Sequence, residues 1–212
     1  MTFGKDYWNQ HWQPTTTAME RNPPNPYLVD ATANLTPGTA LDAGCGAGAE
    51  AIWLASQGWQ VTAADISRTA LDKAIHHAAG LPITWLEADL TVWTPDTQYD
   101  LVTTHYAHPT IPQLAFYHRL STWVAPGGTL LLVGHLHTPH SDPEHEHGGH
   151  GHSGRGHQPP AEASVGLADI TAGLDDAKWE IVAAGEHTRT IPGRSADLRD
   201  VVVQATLKPR TS

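Results

Sequence analysis

One cysteine, Cys45, stands among 212 residues. No disulfide can form within the chain, and a reducing compartment suits it. No apolar run approaches the roughly 18 residues that a membrane-spanning helix needs. No basic-then-apolar leader opens the sequence. The expectation is a cytoplasmic protein with no membrane partner. Basic residues are scarce: 12 Lys and Arg face 22 Asp and Glu, for a formal net charge of −10. A nucleic-acid binder needs a basic face to meet phosphates, so no nucleic-acid partner is expected. There is no internal repeat. Apolar residues make up 40% of the chain, enough for one sizeable core, and the length suits a single domain over 1–212.

What is present is a glycine turn. Leu41-Asp42-Ala43-Gly44-Cys45-Gly46-Ala47-Gly48-Ala49-Glu50 follows a short apolar run and leads into a helix-like segment over 50–57. A strand, a tight glycine turn and a helix start form a common nucleotide cradle, because glycine lets backbone approach a ligand where a Cβ would clash. Asp65 ends the next strand, 60–65, where a carboxylate can accept from ribose hydroxyls. Gly44-x-Gly46-x-x-Ala49 also satisfies the dinucleotide fingerprint, which keeps a nicotinamide-dependent oxidoreductase in view. Against it, Asp42 would set a carboxylate against a pyrophosphate, and an acidic residue there suits a cationic ligand.

The rest of the chain alternates. Strands are expected at 40–44, 60–65, 83–88, 99–105 and 129–134. Helices are expected at 50–57, from Ser67 as cap to about 79, and at 111–123, the last ended by Pro126-Gly127-Gly128. Leu130-Leu131-Leu132-Val133 is a short apolar run of the kind found in strands buried on both faces. Alternation of this kind predicts an α/β fold with a parallel sheet and right-handed crossovers. After a helix near 164–174, strands at 179–189 and 198–207 are separated only by a short turn with Pro192-Gly193. They should pair antiparallel. Residues 1–35 read as an N-terminal flap and helix.

Leu41 to Gly48 resembles the first motif of the class I S-adenosylmethionine-dependent methyltransferases, a hydrophobic residue followed by Asp/Glu-x-Gly-x-Gly-x-Gly. Trp8-Asn9-Gln10-His11-Trp12 and Pro24-Asn25-Pro26-Tyr27-Leu28-Val29 resemble the opening of the thiopurine and tellurite-resistance group. The resemblance implies a Rossmann-like methyltransferase fold, a seven-stranded sheet of order 3-2-1-4-5-7-6 with its last strand antiparallel and helices on both faces. It implies S-adenosylmethionine as cofactor, with S-adenosylhomocysteine as product. Asp42, Gly44, Gly46 and Gly48 then belong to the cofactor turn, Asp65 to the ribose, and Ile66, Asp89 and Leu90 to the adenine. His105 lies towards the methionine, and Trp8 and Trp12 lie over the cofactor, where a sulfonium gains from an aromatic face. Trp8 and Trp12, spaced i and i+4, also fit a plain apolar helix stripe.

Methyl transfer asks the protein mainly to align nucleophile and donor. A soft thiolate or metalloid nucleophile needs almost no base; an oxygen or nitrogen nucleophile does. His105 and His108 are the candidate bases, because histidine titrates near neutrality. Tyr106, His135 and His137 are candidates for the pocket of a small-molecule acceptor. The strand exit Thr104-His105-Tyr106-Ala107-His108 lacks the Asn/Asp-Pro-Pro-Tyr/Phe pattern of enzymes that methylate amide or base nitrogens.

Residues 135–160 form a His-rich insertion, holding eight of the fifteen histidines. Its composition cannot build a packed core, so a mobile loop near the substrate mouth is expected. His145, His147, His150 and His152 offer imidazoles of the type that zinc, nickel or copper favour. Their spacing is not that of a structural zinc site, so a divalent metal is not expected to be essential. The alternative functional reading is a metal-binding or metal-sensing protein on a methyltransferase scaffold.

Overall fold

The computed structural model describes residues 3–13, 22–136, 164–189 and 198–209. Among them, seven strands form one sheet: β1 (Thr39–Ala43), β2 (Gln60–Asp65), β3 (Ile83–Glu87), β4 (Tyr99–His105), β5 (Val124–His135), β6 (Trp179–Arg189) and β7 (Leu198–Leu207). Their order is β3-β2-β1-β4-β5-β7-β6. The first five run parallel, and β7 pairs antiparallel with both β5 and β6. This is the sheet that the strand alternation and the closing hairpin predicted.

The period of two along β5 builds both faces. Leu130 and Leu132 enter one core with Leu41, Val102, Phe116 and Leu120. Leu131 and Val133 enter the other with Leu28, Leu54, Val61 and Leu71. The helices divide accordingly. α5 (Gln113–Ser121) and α6 (Leu167–Ala172) bury Phe116, Leu120 and Ile170 on the first face. α2 (Pro26–Thr32), α3 (Ala49–Ser56) and α4 (Arg68–Ala78) bury Leu28, Leu54 and Leu71 on the second. Each such side chain adds about 1.5–3 kcal/mol when fully buried. α1 (Lys5–His11) buries no residue in the core and lies over the site instead. No helix among the described residues is long and apolar enough to cross a membrane.

Helix starts follow local chemistry. The Ser67 hydroxyl accepts the Ala70 N–H at 3.2 Å and caps α4. Asn25 accepts the Tyr27 N–H at 3.1 Å, with Pro26 preset for the first helical position of α2. One boundary differs from expectation. Pro126-Gly127-Gly128 does not end the helix; it lies inside β5, which begins at Val124 opposite Tyr99. The register shifts between Tyr99 and Leu101. Gly127 adopts φ +84°, and a Cβ on Gly128 would stand 2.9 Å from the Asp100 carbonyl oxygen. The glycine pair makes a bulge in a continuing strand, where sequence alone reads a break.

Candidate active site

The carboxyl ends of β1, β2 and β4 open into one cavity of about 990 Å³, large for a small-molecule site. The turn after β1 sets its floor. Gly46 has φ +51°, and a Cβ there would stand 2.9 Å from the Trp12 ring. A Cβ on Gly44 would stand 2.6 Å from the Ala107 Cβ. Glycine is needed at both because the lid and the β4 exit approach the backbone itself. Asp65 straps the turn. Its Oδ2 accepts the Gly46 N–H at 2.9 Å and its Oδ1 the Ser67 N–H at 2.8 Å. Burial raises its pKa, and the N–H groups of Ser67 and Gly46 pull the other way. Asp89, at the β3 exit, accepts the Thr91 N–H and hydroxyl at 2.9 and 2.6 Å through one oxygen. Asp65, Ile66, Asp89 and Leu90 all line the cavity.

α1 forms the roof. The Ser67 hydroxyl donates to Asn9 Oδ1 at 2.9 Å, and Lys5 pairs with Glu87. Trp8 stacks near the His108 ring at 6.3 Å between centroids, and Lys73 Nζ lies 5.6 Å from the centre of the Trp12 ring. Both tryptophans face the cavity, so the stripe they make on α1 is turned towards the site.

The far end is built from β4, β5 and the C-terminal hairpin. His105, Tyr106, His108 and His135 line it. Tyr106 sits in the left-handed region at φ 56°, an uncommon conformation held by its neighbours. Its hydroxyl accepts from Arg189 at 2.6 Å and from Asn25 at 3.2 Å, and its ring stacks on His135 at 4.1 Å. Burial raises the Tyr106 pKa, with the Asp200 charge adding to it. Asp200 is fully buried and pairs with Arg189 Nε at 2.5 Å, while His135 Nδ1 stands 3.4 Å from its other oxygen. Burial would raise the Asp200 pKa, but the His135 and Arg189 contacts outweigh it and lower the value. Burial lowers His105 to about 3. Burial, aided by His135, lowers His108 to about 4. Both are neutral imidazoles near pH 7 in the free protein, too weakly basic to hold a proton there. Their expected role as general bases is replaced by one as neutral hydrogen-bonding walls.

Residues 40–128 match a family described as "Methyltransferase domain". With the sheet order already in hand, that match decides the family. The chain belongs to the class I S-adenosylmethionine-dependent methyltransferases. An uncharacterized methyltransferase of Mycobacterium tuberculosis is 39% identical over 111 residues, covering 50% of this chain and 55% of that protein. Probable thiol methyltransferase 2 of Arabidopsis thaliana is 29% identical over 136 residues, covering 59% and 60%. The chain thus spans little more than half the length of these curated relatives. The solved N-methyltransferase NodS of Bradyrhizobium japonicum, in complex with S-adenosylhomocysteine, superposes with a TM-score of 0.67 at 14% identity, covering 96% of this chain and 97% of that one. At that identity the likeness shows the fold.

Within this methyltransferase site, two expected cofactor residues stand elsewhere. Asp42 lies on β1 at 1% exposure and does not line the cavity. Burial first, then the nearby Glu50, holds its carboxyl well above the ordinary range. It therefore faces no ligand directly, and its charge is no argument against a pyrophosphate. Gly48 is buried at the start of α3, where a Cβ would meet Trp85 at 2.8 Å and Ala74 at 2.9 Å; it serves packing. Glu50, Asn25, Arg189 and His77 line the cavity unforeseen. Asn-Pro at 25–26 is a legible helix-cap signal, and Glu50 reads only as a first-turn acid. Arg189 carries no local signal, because hairpin pairing brings it in. His137, His145, His147, His150 and His152 lie outside the described residues. No group of three or more His, Cys, Asp or Glu placed to hold a metal ion occurs among the described residues.

Proposed function

We propose that this methyltransferase moves a methyl group from S-adenosylmethionine to a small soft nucleophile, a thiol or related heteroatom acceptor. One observation carries the reading. A single cavity runs from the carboxylates Asp65 and Asp89, past the glycine turn, to the aromatic and imidazole end at Tyr106, His108 and His135.

The residues fit the cofactor. The cradle at Gly44 and Gly46 is open to backbone approach. Asp65 and Asp89 spend part of their accepting capacity on backbone and Thr91, keeping lone pairs for ribose hydroxyls and an adenine amino group. When bound, the cofactor supplies a methyl carbon already activated by its sulfonium. The protein's share is alignment and exclusion of water. α1, tied down through Asn9 and Lys5, covers the cradle. Tyr106, fixed by Arg189 and Asn25, and the His135 ring stacked on it shape the acceptor end. Neutral His105 and His108 suit a nucleophile that needs no strong base. Thiol and thiocyanate methyltransferases among the relatives point the same way.

The test is release of S-adenosylhomocysteine across thiols, thiopurines, tellurite, selenite and phenols, with and without added divalent metal. Turnover with soft acceptors, unchanged by metal, supports the proposal. Turnover confined to phenols, or dependent on metal, contradicts it.

A further inference from the structure

Three carboxyl groups surround the glycine turn, and only one has a full set of partners. Asp65 straps the turn. Asp42, on β1 beneath it, is 1% exposed, and its Oδ2 has no hydrogen-bond partner. Its other tie is the Ala51 N–H of α3. Glu50, in the first turn of α3, lines the cavity and accepts the Asn25 N–H at 3.1 Å. None of the ion pairs among the described residues engages Asp42, Glu50 or Asp65. The cations at the cavity are occupied. Lys73 lies against the Trp12 ring, and Arg189 serves Asp200 and the Tyr106 hydroxyl. The Cys45 thiol beside the carboxyls is pushed up by its burial and then by Asp42 and Asp65, so it stays neutral. His105 on β4 is neutral as well.

We propose that Glu50, backed by the carboxyl of Asp42, receives the primary ammonium of the cofactor's amino-acid end, and that the pair gives up a proton to solvent as this cation arrives. The inference rests on the cofactor reading above. Two carboxylates this dry and this close cannot both ionise, so the free protein keeps a proton on the pair. Burial and mutual repulsion act on both in that direction. A cation at Glu50 favours the ionised form and expels the proton. Because the complex then binds fewer protons than the free protein, affinity rises with pH between the ordinary carboxylate range and the raised free-state values. Asp42 acquires a function by this account. It is the proton store that lets Glu50 stay buried without a partner until the ligand comes.

The experiment is titration calorimetry of S-adenosylhomocysteine into the whole protein at about pH 6.5, in two buffers of different ionisation enthalpy. The control ligand is deaminated S-adenosylhomocysteine, which keeps the carboxylate and lacks the ammonium. The expected result is proton release, a sizeable fraction of one per site, with the first ligand and none with the second. Glu50→Gln, which can still accept the Asn25 N–H, should bind S-adenosylhomocysteine roughly tenfold more weakly, as for a lost charge-assisted hydrogen bond. It should release no proton and bind the deaminated ligand at least as tightly as the wild type does. Equal proton release with both ligands, or full affinity in Glu50→Gln, overturns the proposal and leaves the cofactor reading standing. Failure of the wild type to bind either ligand overturns both.

Discussion

Asp42→Asn changes one buried oxygen to an amide and should alter how stability depends on pH. Asp42 is 1% exposed, its Oδ2 is unpartnered, and burial places its pKa well above the ordinary 3.8. The sign follows from linkage. The unfolded chain loses this proton near the ordinary value while the folded chain keeps it, so stability is full below that value and falls as pH rises towards the folded pKa. One proton sets the slope at about 1.4 kcal/mol per pH unit. A domain of this size shifts its Tm by roughly 2–4 °C per kcal/mol, so the wild type should lose roughly 3–5 °C per pH unit relative to Asp42→Asn. The buried amide brings a constant cost of its own, so the comparison is of slopes rather than levels. Thermal unfolding of both proteins at intervals between about pH 5 and 7 reads it. Glu50 and Asp65 contribute slopes common to both. Parallel curves would refute the assignment of a held proton to Asp42.

Asp65→Ala should weaken S-adenosylhomocysteine binding by about 1–3 kcal/mol, since ribose hydroxyls and the Gly46 and Ser67 N–H groups lose their acceptor; calorimetry showing unchanged affinity removes Asp65 from the site. Gly46→Val should abolish cofactor binding with the far-ultraviolet circular dichroism intact, because its side chain enters the Trp12 ring space. Arg189→Ala leaves fully buried Asp200 without its guanidinium and should cost about 3 kcal/mol in urea unfolding. The lowered Asp200 pKa means this contribution is present above the ordinary carboxylate value and is lost as pH falls, so the gap between wild type and variant should narrow in acid.

Much of the fold is legible in the chain because its strands are apolar runs with sharp punctuation. Residues 60–65, 99–105, 179–189 and 198–207 form strands with the expected bounds. Pro126-Gly127-Gly128 misleads because a glycine pair permits a bulge as readily as a stop, and only the β4 partner decides which. At the site, the rule that ligands bind at the carboxyl ends of parallel strands places Asp65, Asp89 and Tyr106 correctly at the cavity. It cannot say which way Asp42 points one residue before the turn. Arg189, Asp200 and His135 meet through β5–β7–β6 pairing, a contact between distant segments that no short pattern encodes.

The central claim is that the cradle between β1 and β2 holds the methyl donor with its reactive end turned towards Tyr106 and His108. A crystal structure with S-adenosylhomocysteine bound is the most direct measurement. The account predicts the ribose on Asp65, the adenine beside Ile66 and Asp89, and the sulfur facing Tyr106. Density for the ligand outside this cavity, or the reverse orientation within it, would contradict the claim.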